Sequence, residues 1–134
     1  MRCKMVFRYA VMLLWMIVSM STFAINTSFE EVVKNASAAL KEGNAKKLGA
    51  IFDNSVNLSV KREEGAYTKF QAELLLNDFF RINKVNELKE VQRANNASTS
   101  FVVFSLKANS KSYRVFLKFV QLNNEFKVAE IRIE

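Results

Sequence analysis

No histidine occurs anywhere in this chain. Its absence removes Ser-His and Cys-His nucleophilic machinery and the commonest transition-metal ligand. Only Gly43, Gly49 and Gly65 are glycines, so no phosphate-cradling glycine loop can be built. No D-x-D-x-D-G loop for calcium is present, and nothing implies a cofactor. Proline is absent too, and neither a repeat nor a low-complexity tract divides the chain. The single cysteine, Cys3, lies within three residues of the start, so a domain built from the rest holds together without a disulfide.

What is present begins with an ordered N-terminal pattern. Arg2, Lys4 and Arg8 form a basic region, Tyr9–Met20 is apolar, and the small-residue stretch Ser21-Thr22-Phe23-Ala24 follows. That order reads as a secretory signal peptide over residues 1–24, with cleavage expected after Ala24. Ser19 and Ser21 interrupt the run, which falls short of the roughly 20 residues a membrane span needs. An uncleaved anchor is the alternative. No cysteine follows the run to carry a lipid. The expected working protein is one domain, residues 25–134, exported to a bacterial periplasm or cell surface and lacking a membrane span once cleaved.

Twenty basic and 13 acidic residues become 17 and 13 after cleavage, a net charge of +4. The lysines are scattered, which argues against nucleic acid as partner. Asn26, Asn35, Asn57 and Asn96 stand in N-x-S/T triplets, which arise readily by chance.

Ser28 and Glu31 make a capping box ahead of a helix with Phe29, Val32, Val33, Ala36 and Leu40 on one face. Gly43 stops it, and Asn44 caps a second short helix expected to reach Phe52. Val56, Leu58 and Val60 alternate as in a half-buried strand, and Glu64-Gly65 is the expected turn. Thr68 and Gln71 make another capping box, opening a helix over about 69–83. Period-two patterning then gives strands near 87–93, 98–108, 111–121 and 125–133, separated by Asn95-Asn96, Asn109-Ser110 and Asn123-Asn124. The fold class is α+β, with helices on one face of an antiparallel sheet of about four to five strands. In the last strand the apolar set changes parity after Val128, which predicts a bulge.

This order of elements resembles the nuclear-transport-factor-2-like superfamily, a cone in which a curved sheet wraps a helix. The stretch from Glu64-Gly65-Ala66-Tyr67-Thr68 through Asn77-Asp78-Phe79-Phe80, with Tyr113-Arg114-Val115 and the ending Phe126 to Glu134, resembles more narrowly a family of small exported Bacteroidetes proteins of unknown function. The resemblance implies the cone and an export route, and no activity.

On a helical wheel Phe70, Leu74, Leu75, Phe79 and Ile82 form the broad apolar arc of the third helix. Gln71 and Asp78 lie inside that arc, while Lys69, Glu73, Asn77 and Arg81 lie outside it. Polar groups aimed into a core need partners. The matching region lines the pocket in related cones, so Gln71 and Asp78 are candidate ligand-facing residues. The structural alternative has Asp78 paired to backbone or an arginine and Gln71 spent on its helix cap. Tyr113, Val115, Leu117 and Phe119 alternate on one strand face, and Tyr67 and Tyr113 are candidates to place hydroxyls at a pocket mouth.

Phe101-Val102-Val103-Phe104 is apolar on both faces, and Phe116 and Val120 lie opposite Tyr113. Phe104, Phe116 and Val120 are therefore the candidate interface of a homodimer through the sheet's outer face. Lys107, Lys111, Arg114 and Lys118 read as a solvated strand edge. The resulting expectation is a non-catalytic binding module holding a small apolar ligand or a protein partner. The alternatives are a cone-fold isomerase or dehydratase using Asp78 as base, and an envelope scaffolding protein.

Overall fold

The computed structural model describes residues 28–96 and 98–134. The signal-segment expectation and the triplet at Asn26 lie outside the described residues. Helix α1 (Phe29–Glu42) starts as expected, with Ser28 Oγ accepting from the Glu31 amide at 3.2 Å. Gly43 ends it in the left-handed region, φ 63°. The Gly43 and Asn44 amides then return to the Leu40 and Ala39 carbonyls at 3.1 and 2.9 Å, which completes a Schellman motif. Helix α2 (Ala45–Gly49) is capped by Asn44 and stops before Phe52, which instead opens strand β1 (Phe52–Val60).

The chain turns at Lys61-Arg62 and not at Glu64-Gly65. Val60 pairs with Glu63, and Gly65 stands opposite Leu58 inside a strand, β2 (Glu63–Thr68), that the apolar pattern does not announce. Lys61 sits at φ 56°, a left-handed conformation that disfavours any residue with a Cβ. Helix α3 (Lys69–Ile82) follows directly, with both arms of the Thr68–Gln71 capping box formed at 3.2 Å. Strands β3 (Val85–Asn95), β4 (Ser100–Ala108), β5 (Lys111–Leu122) and β6 (Glu125–Ile133) complete the molecule. Asn109-Ser110 and Asn123-Asn124 turn their hairpins with positive φ at both positions, as two-residue turns matched to strand twist require.

The six strands form one sheet ordered β2-β1-β6-β5-β4-β3, one strand more than the upper expectation. Four pairings are antiparallel, and β1 with β6 is parallel. The parity change in β6 is a bulge. Lys118 pairs with Glu130 and the next residue, Phe119, pairs with Val128, leaving Ala129 unopposed. A second bulge leaves Val91 unopposed between Glu90 and Gln92. Such insertions increase local twist and bend the sheet.

The inner face buries Val102, Phe104, Leu106, Val115, Leu117, Phe119, Val128, Ile131 and Ile133, none more than 3% exposed. The helices cover it with Val32, Ala36, Leu40, Leu48, Ala72 and Leu76, all fully buried. Complete burial of one such large apolar side chain contributes roughly 1.5–3 kcal/mol. At one end Phe29 packs edge-on against Phe119 and Phe126, ring centroids 5.5 and 5.6 Å apart.

Phe104 does not belong to the outer face. It pairs with Val115, shares the inward face of Tyr113, and is 1% exposed. Phe116 and Val120 do lie outside, where they are half-buried. Val103, on the same outer face, is 2% exposed. Phe101 flanks it along the strand, Phe116 and Gln92 flank it across, and the two phenylalanine rings lie 5.6 Å apart.

Candidate functional site

Helix α3 leaves β2 at Thr68 and doubles back along the hairpin, so its later turns reach the Lys61-Arg62 tip. Between them lies a cleft of about 400 Å³, lined by Val60, Lys61, Arg62 and Glu63 from the hairpin and by Leu75, Asp78, Phe79 and Ile82 from the helix. Its floor is apolar and its rim is charged.

The orientation of α3 differs from the wheel reading. Ala72, Leu76, Phe79 and Phe80 face the core, whereas Phe70, Leu74 and Ile82 are 68%, 51% and 61% exposed. The helix carries apolar residues on two arcs, and tertiary packing selects the one that holds the small Ala72. Gln71 and Asp78 consequently face solvent and not the core. Gln71 is spent on the cap, its Oε1 accepting from the Thr68 amide. Asp78 stands on the cleft rim, 3.5 Å from the Arg81 guanidinium, with its side chain 65% exposed. The burial on which a general-base role rested is absent.

Neither Tyr113 nor Tyr67 lines this cleft. The Tyr113 ring packs edge-on against Phe79 with centroids 5.3 Å apart, so it buttresses the cleft from behind. Asn83, 5% exposed, ties the end of α3 in place by donating through Nδ2 to the Phe79 carbonyl at 3.0 Å. Asn109 Nδ2 donates to the Ile82 carbonyl at 2.6 Å from the opposite hairpin. Tyr67 is half-buried on β2, with its ring across Gly65, where an added Cβ would lie 3.4 Å from the ring edge.

Sequence reasoning missed Lys61 and Arg62 because neither is a turn former, and Ile82 because the helix phase was misread. Lys61 Nζ lies 5.8 Å above the Phe79 ring, a cation–π distance. Among the described residues neither Lys61 nor Arg62 forms an ion pair with a carboxylate.

A wider groove separates α1 from β3, with Val33 and Phe104 at its base. Arg93 bridges it, 2.6 Å from Glu90 and 2.7 Å from Glu30. The hydrogen bonds it donates to Glu90 first, then to Glu30, hold its guanidinium above the ordinary arginine value. These pairs explain the charges there as a clasp between helix and sheet edge. Among the described residues no group of three or more acidic or cysteine side chains clusters as metal ligands do. No described helix is long and apolar enough to cross a membrane.

A structure of a DUF4783 family protein from Bacteroides uniformis superposes with a TM-score of 0.73 at 25% identity, covering 77% of this chain and 95% of that one. Another from Bacteroides fragilis gives 0.69 at 25%, covering 74% and 93%. An NTF-2-like protein of unknown function from Silicibacter pomeroyi gives 0.57 at 11% over 86% and 98%, a likeness of fold alone. No curated protein matches the chain. The family described as a domain of unknown function, DUF4783, matches residues 33–134. The chain therefore belongs to the DUF4783 family and carries the nuclear-transport-factor-2-like fold.

Proposed function

We propose that this chain is an exported, non-catalytic binding module that takes an apolar ligand or partner at the cleft between the β1–β2 tip and α3. One observation carries the reading: an apolar concavity opens beside a helix that leaves Phe70, Leu74 and Ile82 more than half exposed. Large apolar groups grouped on one surface element mark interaction sites more often than scattered ones do. Export rests on the basic, apolar and small-residue order of residues 1–24. The homodimer expectation loses Phe104 and now depends on Phe116 and Val120 alone, on a face that is already half-covered.

The test is native mass spectrometry of the protein recovered gently from the periplasm of an expression host, beside Ile82→Asp. Excess mass that disappears on denaturation and is absent from the variant supports the cleft as the site. Excess mass retained by Ile82→Asp places binding elsewhere, and a clean dimer directs attention to Phe116 and Val120. Asp78→Asn separates the isomerase alternative, because it would abolish turnover while leaving an apolar binding site largely intact.

A further inference from the structure

Side chains alternate across a strand, so Asn57 and Ser59 point to the outer face of the sheet while Val56, Leu58 and Val60 are buried on the inner one. Paired positions share a face, which sets two outward rows across β2, β1, β6 and β5. One row runs Glu64, Ser59, Arg132, Phe116, and the other Ala66, Asn57, Glu130, Lys118. Ser59 and Ala66 are short and stand among the long side chains of Glu64, Arg132 and Glu130. A hollow of about 220 Å³ forms there. A second, of about 190 Å³, shares Arg132 as a wall and is completed by Arg114, Phe116 and Glu134.

The chemistry of these hollows differs from that of the cleft. Arg132 is fixed by donating through Nε to Glu130 Oε1 at 2.7 Å, and the Glu130 side chain is only 20% exposed. Among the described residues the two terminal nitrogens of that guanidinium, and the side chains of Asn57, Ser59 and Glu64, make no hydrogen bond. Donors and acceptors are therefore interleaved and uncommitted: guanidinium, amide and hydroxyl donors stand beside carboxylate, amide and hydroxyl acceptors. Charge is balanced, with Arg132 and Lys118 beside Glu64 and Glu130. A balanced site has no net field to draw an ion, and its polar groups would be left unpaired by an apolar molecule. A neutral ligand rich in hydroxyls, each both donor and acceptor, matches it. Aromatic surface adjoins the hollows as well. The Phe116 and Phe101 rings, both half-buried, lie 5.6 Å apart and tilted by 33°. The negative face of such a ring packs against the weakly positive C–H groups of a sugar.

We infer that this outer face binds a neutral glycan, with one pyranose unit over Ser59, hydrogen-bonded by Asn57, Glu64 and Arg132, and the next unit packed on Phe116. Two adjoining hollows suit a chain of linked units better than a free monosaccharide. The site is separate from the cleft and does not depend on it.

The test is a printed array of neutral oligosaccharides (glucans, mannans, galactans and xylans) beside sulfated and uronic-acid polymers, probed with the full chain as the host processes it. Retained neutral glycans are then titrated calorimetrically. A neutral tetrasaccharide should bind more tightly than its monosaccharide unit. Each of Asn57→Ala, Glu64→Ala and Phe116→Ala should weaken it at least about fivefold, the change expected for one lost hydrogen bond or ring contact. Ile82→Asp, in the cleft, should bind as the wild type does. Asn57 and Glu64 are exposed, so a loss of fold in Phe116→Ala does not compromise the other two variants. No retained neutral glycan, retention of charged polymers alone, binding abolished by Ile82→Asp, or titrations unchanged in Asn57→Ala or Glu64→Ala overturns the inference. So does a dimer in sedimentation that Phe116→Ala dissociates, which would give this face to a second copy.

Discussion

The hydroxyl of Tyr113 donates to Oδ1 of Asn83 at 3.1 Å, joining the middle of the sheet to the residue that ends α3. Asn83 is buried, and its two side-chain atoms are both used, one on Tyr113 and one on the Phe79 carbonyl. Tyr113→Phe keeps the ring against Phe79 but leaves an amide oxygen buried without its donor. The expected loss is about 1–2 kcal/mol. A lowered urea midpoint with unchanged slope is the measurement, and an unchanged midpoint would show that water satisfies Asn83 instead.

Phe104 and Phe116 lie one residue out of step on paired strands, and their environments predict different costs. Phe104→Ala opens a cavity in the inner face, where Phe104 is 1% exposed, and should cost about 3–5 kcal/mol. Phe116→Ala removes a half-buried ring from the outer face and should cost clearly less. Equal losses in urea titration would mean that the outer face is covered in solution.

Lys61 offers a prediction in which stability and binding move in opposite directions. Its φ of 56° costs a side-chain-bearing residue roughly 1–2 kcal/mol that glycine avoids. Lys61→Gly should therefore leave stability unchanged or raise it, after the entropy glycine adds to the unfolded chain is offset. The same change removes the ammonium above Phe79 and should weaken any anionic ligand of the cleft. Calorimetric melting and titration with decanoate, a carboxylate with an apolar tail, on one sample read both effects.

Glu87 lies within 3.5 Å of Lys89 and 3.6 Å of Lys107. Lys107 first, and then Lys89, hold its carboxyl below the ordinary glutamate value. A carboxylate whose folded value is depressed adds stability that is full above its unfolded value and disappears as pH falls through the folded one. The wild type should accordingly lose more stability than Glu87→Gln between neutral pH and about pH 3. The difference should shrink in high salt, since the group is solvent-exposed. Parallel acid titrations at two salt concentrations measure it.

Much of the architecture was legible because local signals agreed with it. Ser28, Gly43, Asn44 and Thr68 each cap where their side chains or missing Cβ dictate, and the asparagine turns fall at their expected places. The Ala129 bulge was visible as a change of apolar parity. Strand β2 was not, because Glu63-Glu64-Gly65-Ala66 has no alternating apolar pattern and exists by pairing with β1. The phase of α3 was illegible for the opposite reason: Phe70, Leu74 and Ile82 compete with Ala72, Leu76 and Phe80, and tertiary packing decides which arc is inside. The candidate site inherited both errors. Asp78 was placed in it for a burial it does not have, and Lys61 and Arg62 were overlooked.

The position of β6 has a consequence for the order of synthesis. It lies between β1 and β5, so residues 125–133 join a hairpin made early to a three-strand meander made late. A growing chain that has not yet produced them holds two half-sheets with no ladder between them, and neither can close over the helices. Completion must wait for contacts between segments some 70 residues apart, which slows folding.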